Sequence, residues 1–119
     1  MPHLTIEYTD NLPQLEVDTL LLALNQALLD SGQFDELDIK SRAICLQAYR
    51  TGTSLQARAF VHAQLAILSG RTLETKQQLS ASLLRILQRA CEDAAVPQVQ
   101  LSVDVQDIER ASYAKALVG

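Results

Sequence analysis

Hydrophobic and polar residues alternate from His3 to Tyr8, with Leu4, Ile6 and Tyr8 on one side and His3, Thr5 and Glu7 on the other. A period of two predicts a half-buried strand. Asp10-Asn11-Leu12-Pro13 is turn chemistry, and a helix is predicted from about Gln14 to Ser31, where Gly32 is a good stop. Val17, Leu20, Leu21, Leu24 and Leu28 fall on one helical face, while Leu15, Leu22 and Leu29 form a second stripe. Two stripes imply a helix covered on more than one side. Ile39–Tyr49 reads as a second strand with Lys40, Arg42, Ile44 and Leu46 on one face, and Arg50-Thr51-Gly52-Thr53-Ser54 as a turn. Arg58–Leu68 reads as a third strand, with Ala59, Val61, Ala63, Leu65 and Ile67 on one face and Phe60, His62 and Gln64 on the other. Thr72 caps a second helix, Glu74 sits in its first turn, and Pro97 stops it. Val99, Leu101, Val103 and Val105 alternate with polar residues as a fourth strand, and the tail after Asp107 is weakly patterned.

The order is β-α-β followed by β-α-β, offset by about 57 residues, which suggests an internal duplication with halves of about 1–50 and 57–108. Each unit favours a right-handed crossover and a parallel strand pair. The predicted fold is therefore a single α+β domain over 1–119, a four-stranded sheet with two helices on one face. The other sheet face would be open in one chain, and with the surplus stripe on the first helix it predicts an oligomer.

Composition narrows the function. The chain has 119 residues with 48% hydrophobic and 20% charged residues, so it is a globular domain. Aromatics make up 4% and the net charge is −4, which argues against a nucleic-acid partner. No segment has the length of a membrane span or the design of a secretory signal, and the chain is read as soluble and cytoplasmic. Cys45 and Cys91 are too few for a disulfide scaffold and are read as core thiols, with a pairing between them left open. The two histidines and two cysteines lack metal-ligand spacing, and the four glycines form no phosphate loop. Cys45 as nucleophile with His62 as base is conceivable, but a core thiol and a sheet-face histidine explain both residues more simply.

Pro2 carries the most distinctive chemistry. Removal of Met1 turns its nitrogen into a free secondary amine at the head of a strand. Such an amine titrates closer to neutrality than a lysine, and an apolar pocket lowers its pKa further, which suits a general base. If Met1 is kept, Pro2 is an amide and has no such role.

Pro2-His3-Leu4 with Glu7, Asp10-Asn11, Ile39-Lys40-Ser41-Arg42, Ala59-Phe60-Val61-His62, and Gly70-Arg71-Thr72-Leu73-Glu74 with Gln77-Gln78 form an ordered set. In this set the chain resembles the 5-carboxymethyl-2-hydroxymuconate Δ-isomerase family of the tautomerase superfamily, from Pro2 to about Ile108. The resemblance implies a duplicated β-α-β fold, a homotrimer, no cofactor, and an isomerase of the intramolecular-oxidoreductase type. It implies a 1,3-proton shift on a carboxylated 2-hydroxymuconate-type dienol, with Pro2 as base. Arg71 stands at a family position for holding carboxylate and enol charge, and Lys40 stands where the family has a second arginine. Lysine keeps the charge but loses the two-pronged fork, so Arg42, on the same strand face, is the other candidate for that role. Phe60 and His62 lie on the strand expected to run near Pro2, with Phe60 as an apolar wall. The alternatives are a tautomerase-fold enzyme for another carboxylated enol or keto acid, and a trimeric binding protein without catalysis.

Overall fold

The computed structural model describes all of residues 1–119. The elements are β1 (His3–Thr9), α1 (Val17–Asp30), β2 (Lys40–Leu46), β3 (Ala59–Leu68), α2 (Leu73–Cys91) and β4 (Val99–Ile108), with short 3-10 turns at Glu36–Asp38 and Arg110–Ser112. One sheet has the order β2-β1-β3-β4. β1 pairs in parallel with β2, β3 in parallel with β4, and the two central strands β1 and β3 are antiparallel. Each half is thus a β-α-β unit with its own parallel pair, and the halves join head to tail through the sheet centre.

Both helices lie on one face, and the core sits between them and the sheet. Leu20, Leu24 and Leu28 of α1 and Leu79, Leu83 and Leu87 of α2 are buried at four-residue spacing. They meet Leu4 and Ile6 of β1 and the whole inward row of β3, Ala59 to Ile67, which is fully buried. Each buried leucine contributes about 1.5–3 kcal/mol by leaving water. Ala59 and Ala63 in that row keep the sheet surface low under the leucines.

Helix α1 starts later than its pattern. Leu15 N donates to Leu12 O at 3.1 Å, closing a turn behind buried Leu12, and the first helical bond is Leu20 N to Glu16 O at 2.9 Å. Thr72 does cap α2, its Oγ1 accepting from Thr75 N at 3.1 Å. Replacing Thr72 by Ala is expected to cost about 1 kcal/mol, read as a lower denaturant midpoint with an unchanged slope.

The core-thiol expectation is corrected for Cys45, which is exposed; Cys91 is half-buried and packs against the core, and both are free. β2 is an edge strand and Cys45 lies near its end, in register with Tyr8 on the helix face. His62 projects from the opposite face, so the two are not a nucleophile and base pair. The open sheet face is mostly polar. In register across it stand Thr5, Arg42, Gln64 and Asp104, flanked by Glu7 and His62. No helix is long and apolar enough to cross a membrane.

Candidate active site

Three of the candidate residues, Pro2, Lys40 and Arg71, lie at the end of the sheet where β1 begins and β3 ends. Pro2 is fully buried, and its carbonyl accepts from Lys40 N at 3.2 Å, which fixes the head of β1 against β2. Met1, one residue earlier, lines a cleft of about 250 Å³ together with Gln33, Phe34, Asp38, Arg71 and Arg110.

Arg71 follows Gly70, whose φ of +121° turns the chain sharply between β3 and α2. Its guanidinium stacks over the Phe34 ring, 4.6 Å from the centroid. Nε donates to Gln33 Oε1 at 3.1 Å, Nη1 to Leu68 O at 3.3 Å and Nη2 to Gln33 O at 2.9 Å. One N–H on each Nη remains free, because a guanidinium has five donors. Burial, and then the charge of Arg110, hold the Arg71 pKa below its ordinary value.

Arg110 reaches the same cleft from the segment after β4. Nε and Nη2 both donate to Ser69 O, at 3.2 and 3.0 Å. The chain then folds back over the start of β1. Tyr113 OH and His3 Nε2 are 2.9 Å apart, and Lys115 Nζ donates to Asp38 Oδ1 at 2.6 Å. Lys115 holds the Asp38 carboxyl below the usual range, chiefly through this hydrogen bond.

The electrostatics of the corner lower the pKa of an amine placed there. The terminal amine of the chain is held below its ordinary value first by burial and then by Arg71, with Lys115 and Lys40 adding and Asp38 opposing. Burial, then Arg42, Lys40 and the terminus, lower the pKa of His3 as well. A second positive charge is disfavoured throughout this corner.

Of the residues singled out in the sequence, Pro2, Arg71 and Lys40 come together. Lys40 is exposed and its Nζ donates to Asp38 O at 3.0 Å. Arg42, opposite Thr5, stands farther along the open face. Phe60 and His62 are not beside Pro2 within the chain. β3 runs antiparallel to β1, so Ala66 faces His3, whereas His62 faces Glu7. Phe60 N donates to Thr9 Oγ1 at 3.3 Å, which puts Phe60 beside the far end of β1, roughly 20 Å from its start. Its ring packs on Tyr49. His62 Nδ1 lies 2.6 Å from Ser102 Oγ. The aromatic wall at the cleft is Phe34, and Arg110, Tyr113 and Lys115 come from the tail that has no readable pattern.

Residues 2–117 match the model of the 5-carboxymethyl-2-hydroxymuconate isomerase family. The chain belongs to this family. A 5-carboxymethyl-2-hydroxymuconate Delta-isomerase of Escherichia coli is 30% identical over 88 residues, covering 73% of this chain and 70% of that protein. The solved structure of a 5-carboxymethyl-2-hydroxymuconate isomerase from Deinococcus radiodurans R1 is 34% identical, with a TM-score of 0.89, 97% of this chain covered and 88% of the other. A fused 4-OT, solved as a symmetric trimer, shares the fold at 20% identity, with a TM-score of 0.71 and coverages of 96% and 91%. Membership in the 5-carboxymethyl-2-hydroxymuconate isomerase family makes the chain an isomerase with the tautomerase fold.

Proposed function

We propose that the processed chain moves a proton from oxygen to carbon on a carboxylated 2-hydroxymuconate-type dienol, with the Pro2 amine as base. The observation that carries this reading is the buried Pro2 directly behind Met1, at a cleft where burial and cations depress an amine pKa. A neutral secondary amine takes the 2-hydroxyl proton and leaves an enolate. The resulting ammonium returns a proton to carbon, and the electron pair that held the carbon–carbon double bond ends in the new C–H bond as the ketone forms. One proton leaves and one returns, so the exchange needs no external oxidant or reductant. Arg71 offers two free N–H groups to a carboxylate and to the charge that develops on the enol oxygen.

The test is a spectrophotometric assay of the processed chain on 5-carboxymethyl-2-hydroxymuconate with no added metal or nucleotide. Conversion to the conjugated ketone is expected, and its absence overturns the reading. Lysine at position 40, where the resemblance leads to a second arginine, favours one other reading, an enol or keto acid with a different carboxylate pattern. A parallel assay on simpler 2-hydroxy dienoates separates the two.

The active assembly in this reading is a homotrimer. The chain exposes 7473 Å², whereas a compact chain of its mass exposes about 6,400 Å². Its radius of gyration is 15.4 Å against about 13.5 Å for a compact domain. Leu22 of the second α1 stripe is 69% exposed. The excess surface fits a subunit whose neighbours complete it. Sedimentation equilibrium is expected to return a mass of about 39 kDa, three times 13.1 kDa, and a 13 kDa species at micromolar concentration would remove the trimer.

A further inference from the structure

A 2-hydroxymuconate-type dienol carries at least two carboxylates and calls for more than one cationic contact, and neither Lys40 nor Arg42 lines the cleft that Arg71 lines. Lys40 Nζ is engaged with Asp38 O and does not line the cleft, whereas Arg110, itself exposed, does. Arg42 stands on the open sheet face, in register with Thr5. The cleft itself is lined by two guanidiniums, Arg71 and Arg110. Neither forms a salt bridge, and the carboxylate of Asp38 is taken by Lys115.

Arg110 is anchored without being used up. Two of its donors converge on the single Ser69 carbonyl, and its backbone N–H reaches Ser69 Oγ at 3.4 Å. Both N–H groups of Nη1 and one of Nη2 remain free. The turn at Gly70 separates its anchor, Ser69, from Arg71 by one residue, so one turn brings both guanidiniums to the same cleft. The charge of Arg110 is felt at Arg71. Two like charges lining one cleft, neither in a salt bridge although Asp35 and Asp38 line it too, can complement a dianion.

We infer that Arg110 is the second carboxylate-binding residue of the site, pairing with Arg71 to select doubly carboxylated ligands over singly carboxylated ones. This rests on the same cleft as the proposed isomerase, but it concerns binding and does not need Pro2 to act as a base.

The experiment uses two unreactive probes, adipate with two carboxylates and hexanoate with one, titrated into the processed chain by calorimetry or by NMR shift changes. Wild type is expected to bind adipate about tenfold to a hundredfold more tightly than hexanoate. Arg110→Ala is expected to bring adipate to the hexanoate level and leave hexanoate unchanged, with partial recovery in Arg110→Lys. Equal adipate affinity in wild type and Arg110→Ala overturns the inference. So does an equal loss for both probes, which would mean that Arg110 only braces the Ser69 turn. If the dienol is not turned over but the adipate preference still depends on Arg110, the catalytic reading fails and the binding assignment stands.

Discussion

Protein that retains Met1 is expected to isomerise the dienol about 10²- to 10⁴-fold more slowly than processed protein, the range that a positioned general base contributes. An amide nitrogen has its lone pair delocalised and is not basic, so a retained Met1 removes the base outright. It also leaves the Met1 side chain lining the cleft that the substrate would enter. The pH profile gives an independent reading. Burial and the charges of Arg71, Lys115 and Lys40 hold an amine in this corner below its ordinary value. The base is active when neutral, so kcat/KM rises with pH through that depressed pKa and is flat above it. Pro2→Ala leaves a primary amine in nearly the same place, so it should retain part of the rate with a displaced profile. Comparing Met-retained and Met-processed samples, each verified by mass, on one dienol preparation decides the matter. Equal rates would show that Pro2 is not the base.

The fold was legible because each element carries one dominant signal. The inward row of β3 alternates without a fault from Ala59 to Ile67, and all five positions are fully buried. The leucines of α1 and α2 repeat at helical spacing, and Thr72 has the chemistry of a cap and acts as one. The site was legible only where residues lie close along the chain or across a parallel pair. Pro2 and Lys40 meet because β1 and β2 run the same way. Phe60 and His62 were assigned to a strand beside β1, and they are on one, but the antiparallel sense of that pair sends them to its far end. Strand direction depends on how the two halves dock, which no local period encodes. Arg110, Tyr113 and Lys115 escaped for a different reason. They lie on a 3-10 turn and an extended tail, held by side-chain bonds to Ser69, His3 and Asp38, and such contacts leave no periodic trace.

Arg71→Ala is expected to lower kcat/KM on the carboxylated dienol by about 2–4 kcal/mol of barrier, roughly thirtyfold to a thousandfold. The guanidinium is oriented before any ligand arrives, because Gln33 and Leu68 hold three of its N–H groups and Phe34 supports its face. A charge fixed in this way needs no reorganisation as negative charge develops on the enolate. Its position between β3 and α2 would suggest a substitution neutral for stability, but these contacts argue otherwise. Removing the side chain takes donors from Gln33 O and Leu68 O and exposes Phe34, so a stability loss of about 1–2 kcal/mol is expected by chemical denaturation. The pH profile separates the two effects. Arg71 depresses the pKa of the Met1 amine, and the same charge is expected to act on the Pro2 amine one residue on. Without that charge the amine holds its proton to higher pH, and the rising limb of kcat/KM moves toward alkaline pH. A merely structural loss would reduce the folded fraction and leave the limb where it was. Wild-type kinetics with an unmoved limb in folded Arg71→Ala would remove Arg71 from the site.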